Sequence, residues 1–132
     1  MAAKNQQPDK DQTFPKTVRL LVQPDFDNVY RSSFVAADQT LVVKGVPNGT
    51  GKTRLGLSVG KKVGNAVVRN RWKRLIREAF RTQKQDIPDG LDLVVRPRKG
   101  ADCDSSRIFK SLALLANKIS RRISKSQSES RS

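Results

Sequence analysis

VGNAVVRNRWKRLIREAFRTQK, residues Val63 to Lys84, is the stretch from which the rest of the chain can be read. At about 100° per residue it predicts one amphipathic helix. Val68, Trp72, Leu75, Ile76 and Ala79 fall on an apolar stripe with Phe80 at its edge. Arg69, Lys73, Arg74, Arg77 and Arg81 occupy the remaining surface, and Arg71 the stripe's other flank. Asn65 suits the N-cap, with Gly64 turning the chain into the helix. Arg69, Lys73 and Arg77 stand at i, i+4 and i+8, a spacing at which like charges repel unless a partner neutralises them. One side of this helix is built for a core and the other for a polyanion.

The charge balance agrees. The 132 residues hold 27 Lys+Arg against 12 Asp+Glu, a net charge of +15. Nine of those cations and only one acid lie between Lys61 and Lys84, so more than half of the excess belongs to the helix and its approach. Charge concentrated in this way argues for a defined polyanion site rather than for solubility alone. The single cysteine, Cys103, excludes an intramolecular disulfide framework and a multi-cysteine zinc site. No apolar run approaches ~18 residues and no signal peptide is visible, so a soluble cytoplasmic protein with no membrane partner is expected.

Outward from the helix, the chain divides into a disordered N-terminal tail (1–13), a single domain (14–123) and a disordered C-terminal tail (124–132). Phe14–Val22 reads as a lead-in whose Leu20 and Leu21 dock on the fold. Pro24, Asp25, Phe26 and Asp27 open a short helix to about Arg31, with Phe26, Val29 and Tyr30 on one face. Ser33–Ala37 and Thr40–Val46 predict strands joined at Asp38-Gln39. Val46–Thr53, VPNGTGKT, superficially suggests a phosphate-binding loop, but Val46 stands where the first glycine belongs. The alternating RLGLSVG that follows is a strand, so a Gly-rich hairpin turn is expected and nucleotide hydrolysis is rejected. In that strand Leu55, Leu57 and Val59 face the long helix, and Gly56, Ser58 and Gly60 leave the other side open to a ligand. Ile87–Gly90 is a turn and Leu91–Arg96 a buried strand, parallel to its neighbour because the long helix separates them. Arg96, Arg98 and Lys99 form a smaller basic cluster. Asp104 or Ser105 caps a last helix to about Ile123, with Ile108, Leu112, Leu115, Ala116 and Ile119 facing in.

Catalysis by the polypeptide alone is not expected. Without a histidine, paired-imidazole ribonuclease chemistry is excluded, and Cys103 has no base to activate it. Asp25 and Asp27 are better explained as helix-start residues than as a metal pair, and Trp72 as core rather than a stacking platform. The basic helix has three readings: a solvated face, a membrane-surface helix and a nucleic-acid site. Eight net charges in one segment weigh against the first. The adjoining strands, which use the apolar stripe, weigh against the second. Nucleic acid is favoured, since arginine forks pair bidentately with phosphates and Asn70 adds an amide for bases or sugars. These residues do not by themselves distinguish DNA from RNA.

The run SVGKKVGNAVVRNRWKRLIREAFR, Ser58 to Arg81, resembles the signature of the protein subunit of bacterial ribonuclease P. It combines the Lys-Lys approach, GNAVxRNRxKR and RExFR in one uninterrupted order. The DFxxVY helix, the GLSV strand, DLVVR and the final helix extend the resemblance over most of Arg19 to Ile123. It implies an α+β fold, an α-β-β-β-α-β-α sandwich shared with a domain of a small-subunit ribosomal protein, with a left-handed βαβ crossover. It also implies a division of labour in which a large RNA subunit, binding Mg²⁺, cuts the 5′ leader from precursor tRNA. The protein binds that RNA and the leader, with no obligate protein partner evident.

Carried over residue by residue, the resemblance assigns Lys61, Lys62, Arg69, Asn70, Arg71, Lys73, Arg74 and Arg77 to the RNA-subunit face. Phe26 and Tyr30 match the aromatic positions of a leader-binding cleft between the first helix and the sheet, and Asn65 lies where that cleft meets the long helix. Where the family's second strand often offers an aromatic, this chain has Lys44, which can reach a phosphate instead. A non-catalytic RNA-binding module of ribosomal or RNA-chaperone type is the alternative, and a sequence-specific DNA binder ranks third.

Overall fold

The structure, a computed structural model, describes residues 23–131. The expected N-terminal tail and the Phe14–Val22 lead-in with Leu20 and Leu21 lie outside the described residues. Among the described residues, three α-helices and four strands follow in the order α1 (Gln23–Tyr30), β1 (Val35–Ala37), β2 (Leu41–Pro47), β3 (Arg54–Leu57), α2 (Ala66–Thr82), β4 (Leu91–Pro97) and α3 (Ser105–Arg131). This is the α+β order that the sequence implies.

The sheet runs β1-β2-β4-β3. β1 and β4 both pair antiparallel with β2, while β3 and β4 are parallel and are linked by α2. The Gly-rich segment after Val46 is therefore not a hairpin turn, because β4 lies between the strands it joins. The reason is burial: Leu91–Val95 are all buried, and a strand covered on both faces takes the middle of a sheet. The segment is held as a loop by Asn48, whose Oδ1 accepts from the backbone N–H and hydroxyl of Thr50 and whose Nδ2 donates to the Lys52 carbonyl. β3 follows it directly, with no helix to complete a phosphate-binding loop.

α2 and α3 cover one face of the sheet. Trp72, Ile76, Ala79 and Phe80 of α2 join Leu41, Val43, Leu55, Leu93 and Val95, and Ile108, Leu112, Leu115, Ala116 and Ile119 of α3 close the same core. Phe80, expected at the edge of the stripe, is 2% exposed, whereas Val68 is 37% exposed. The helix axis thus turns its buried arc toward Phe80, leaving Val68 in the first turn to overhang the sheet. Gly45 permits the close approach of α3: a Cβ there would stand 2.8 Å from Leu93 Cδ2 and 3.0 Å from Ile119 Cγ2. Asp104 caps α3 through its Oδ1, which accepts from Ser106 N. The apolar period of α3 ends at Ile123, yet the helix continues to Arg131, its backbone bonds propagating once the packed turns have nucleated them.

α1 lies on the opposite face, where Val29 and Phe26 meet Val94 and Val46 in a small cluster of their own. Gly56, expected to leave that face open, is instead buried opposite Val94. No helix among the described residues is long and apolar enough to cross a membrane.

Candidate nucleic-acid interface

Asn65 caps α2 as its sequence position suggests, its Oδ1 accepting from Val68 N at 3.0 Å. Before it, Lys61–Val63 form a single 3-10 turn rather than the start of the helix. The break falls at Gly64, whose φ of +157° would bring a Cβ within 2.8 Å of Val68 Cγ1. This turn presents Lys61 and Lys62 to solvent beside the first turn of α2.

Along α2, Asn70, Arg71, Arg74 and Arg77 are exposed, while Arg69, Lys73 and Arg81 are half-buried. Arg69 Nε donates to the Gly64 carbonyl at 3.2 Å, which anchors its stem at the helix mouth and leaves the rest of the fork for a partner. Arg71 and Arg74 lie on the flank facing Cys103. Burial raises the Cys103 pKa and the two arginines pull against it, so the thiol is held in its neutral form.

Among the described residues, none of the α2 cations forms an ion pair. The paired acids are engaged elsewhere, Asp25 and Asp92 with Arg54, Asp102 and Asp104 with Arg107. A face of uncompensated arginines and lysines is what a polyanion requires.

Arg96, Arg98 and Lys99, which the sequence shows only as a separate cluster, join Lys61 and Lys62 around a cavity of about 920 Å³. Its other walls include Ser58, Gly60 and Trp72, and no acid among the described residues lines it. Only the fold could reveal this: β4 ends next to the turn that opens α2, because β3 and β4 are parallel neighbours.

Part of the second expected residue set shares one face of the sheet. Strand register places Val35, Ala37, Val42, Lys44, Val94 and Arg96 on the face that carries α1. The Phe26 and Tyr30 rings stand 6.0 Å apart at 39° along one side of this face. Phe26 is partly packed on Val94, whereas Tyr30 remains 45% exposed. Lys44 does not stand free: its Nζ donates to the Tyr30 carbonyl at 3.0 Å. The uncovered stretch, with Val35 and Val42 as apolar floor and Arg96 at its end, is an open groove flanked by an aromatic ring. Asn65 lies at the mouth of α2, where its side-chain oxygen is engaged in capping.

One feature has no counterpart among the expected site residues. Arg54 Nε and Nη2 donate to the two carboxylate oxygens of buried Asp92 at 2.8 and 2.7 Å, and Nη2 also reaches Asp25 Oδ1 at 3.2 Å. The Arg54 pKa is raised, first by the bond to Asp92, against the opposing effect of burial. Its sequence signal was Asp92 itself: an acid inside LDLVV, a buried strand, demands a partner.

Comparison with known proteins decides the family. The ribonuclease P family pattern matches residues 14–120. The chain belongs to the ribonuclease P protein family. It is 42% identical over 101 residues to the ribonuclease P protein component of Petrotoga mobilis, covering 76% of this chain and 82% of that one. The Brevibacillus brevis component is 47% identical over 85 residues, covering 64% and 68%. Among solved structures, the Staphylococcus aureus RNase P protein superposes with a TM-score of 0.68 at 36% identity, covering 77% of this chain and 94% of that one. The Thermotoga maritima RNase P protein gives 0.66 at 34% identity, over 75% and 96%. Membership in this family makes the chain a protein component of a tRNA-processing ribonucleoprotein.

Proposed function

We propose that this chain docks on the RNA subunit of ribonuclease P through α2 and its approach, and holds the 5′ leader of precursor tRNA in the groove beside α1. The single observation that carries the reading is the cationic face formed by Arg69, Arg71, Lys73, Arg74 and Arg77 with Lys61 and Lys62, which makes no ion pair among the described residues and has the Asn70 amide beside it. Arginine forks on that face pair with backbone phosphates, which fixes register and orientation without reading sequence. Phe26 and Tyr30 offer ring faces to unpaired bases, each stack worth ~1–3 kcal/mol. Lys44 and Arg96 supply positive charge on the same side of the sheet.

Hydrolysis of the phosphodiester is assigned to the RNA subunit. Mg²⁺ bound there would supply the charge stabilisation and activated water that the reaction needs. Among the described residues no three Asp, Glu, Cys or His side chains gather as a metal site, and the chain has no histidine. Its own residues bind, orient and neutralise. The reaction belongs in the cytoplasm, with precursor tRNA and the RNA subunit as the two partners.

The test is cleavage of a precursor tRNA by ribonuclease P RNA at low Mg²⁺, with and without this protein. Strong stimulation with cutting at the mature 5′ end is expected. Tight RNA binding without stimulation, by the RNA subunit of the same source, would replace this reading with a non-catalytic RNA-binding module.

A further inference from the structure

α1 has only eight residues, fewer than a helix needs to persist in water by itself. Its apolar anchorage is small, because Val29, Val94, Phe26 and Val46 form a cluster separate from the main core. The angle and height at which it sits on the sheet must therefore be set largely by polar bonds at its two ends.

At the C-terminal end, Lys44 Nζ bonds the Tyr30 carbonyl, and Ser32 Oγ donates to the Gly45 carbonyl at 2.9 Å. At the N-terminal end Arg54 supplies an anchor. Its guanidinium is held by two bonds to Asp92, whose side chain is only 4% exposed. Asn48 Nδ2 braces the same carboxylate from the other side at 2.9 Å. A planar fork fixed at two points has little freedom left. The remaining contact of Nη2, to Asp25, therefore reaches α1 from a rigid support, one residue before Phe26.

We propose that Arg54 is a positioning residue for leader recognition: by bridging Asp92 of the sheet to Asp25 of α1, it sets where the Phe26 and Tyr30 rings stand over the groove. The proposal rests on the assignment of that groove to the leader. A buried ion pair adds little to stability relative to a well-packed apolar pair. What the fork adds is direction, because one guanidinium reaches Asp92 of the sheet and Asp25 of α1 together. The network also ties in the Asn48 loop through Asp92, so α1, β3, β4 and that loop are joined in one network.

The experiment uses holoenzyme reconstituted with the RNA subunit and compares the affinity of a precursor tRNA carrying a leader with that of mature tRNA. Asp25→Asn cuts the α1 arm while leaving Arg54 on Asp92. Arg54→Lys keeps the buried carboxylate neutralised but cannot fork to both acids. Each is expected to weaken leader-bearing substrate about five-fold, the scale of a partly exposed ion pair, and to leave mature tRNA unmoved. Asp25→Glu, which restores the charge, should recover most of the loss. Equal losses for both substrates, or failure of Asp25→Glu to recover, would mean that the network only holds the fold and would overturn the proposal.

A control separates this failure from failure of the groove assignment. Phe26→Ala and Tyr30→Ala should themselves discriminate between the two substrates. If they do and Asp25→Asn does not, the positioning role falls alone. If the ring variants do not discriminate either, the leader assignment falls and the positioning role falls with it.

Discussion

Lys44 Nζ stands 3.0 Å from the carbonyl oxygen of Tyr30, so the C-terminal end of α1 ends against a cation from β2. The helix dipole favours that charge, and one bond occupies only one of the ammonium's three donors. Lys44→Ala is expected to lower affinity for leader-bearing precursor tRNA several-fold. It should also reduce the slope of log affinity against log salt by about one, as for one lost phosphate contact. A salt titration of wild type and variant checks both; an unchanged slope would confine Lys44 to fastening α1.

Arg74 and Arg77 are exposed and form no ion pair among the described residues. Their replacement by Ala should therefore change unfolding free energy by no more than about 0.5 kcal/mol. Binding to the RNA subunit should weaken strongly, with a salt slope shallower by about two. Chemical denaturation and filter binding at several salt concentrations separate the two effects. Loss of stability equal to the loss of binding would sink the docking role.

Asn65 combines a structural task with a proposed binding one, and the two can be pulled apart. Aspartate caps a helix as well as asparagine does, so Asn65→Asp should keep the thermal midpoint. Its added negative charge beside the RNA should nonetheless weaken leader binding. Asn65→Ala should cost about 1 kcal/mol of stability through the lost bond to Val68 N. A fall in stability for Asn65→Asp would show that the cap needs more than an acceptor.

Asp38 sets an acid limit. Burial acts to raise its pKa, but the Ser111 hydroxyl, the backbone N–H groups of Leu41 and Thr40 and the charge of Lys118 outweigh it, leaving the pKa below the ordinary carboxylate value. A carboxyl with a depressed folded-state pKa stabilises the fold above its unfolded pKa of about 3.9 and loses that contribution as pH falls through the folded value. Stability should therefore decline as pH drops below about 4. Ser111→Ala, which removes the 2.6 Å bond, should lower stability at neutral pH and flatten that decline. Denaturation curves between pH 2 and 7 would show it, and parallel curves for the two proteins would refute it.

Much of this was legible in the residues. The 3.6 period of VVRNRWKRLIREAF located α2, and Asn65 announced its cap because an N-cap needs only a local acceptor. The face assignments of α3 from Ile108 to Ile119 followed from spacing alone. Sheet order was not legible, since nothing local in Val46–Thr53 says that β4 will enter between β2 and β3. For the same reason the proximity of Arg96, Arg98 and Lys99 to Lys61 and Lys62 stayed hidden; they are distant in sequence and meet only through the β3–β4 pairing. The groove was half visible: Phe26 and Tyr30 share a helix face by spacing, but the engagement of Lys44 by Tyr30 depends on how α1 is laid across the sheet. Arg54, a lone arginine in an edge strand, carries no sequence pattern, although Asp92 in a buried strand signals that some partner must exist.

The central place of β4 also bears on how the protein is made. Synthesis runs from the N-terminus, so α1, β1, β2, β3 and the whole of α2 leave the ribosome before the strand to which both β2 and β3 bond. Until Leu91–Pro97 emerges, β3 has no neighbour among the described strands and Lys44 cannot find its register against Val94. These pairings span long stretches of chain, which raises contact order and slows closure of the sheet. The cationic helix is thus exposed on a nascent, unclosed chain, surrounded by the RNA of the machine that is making it.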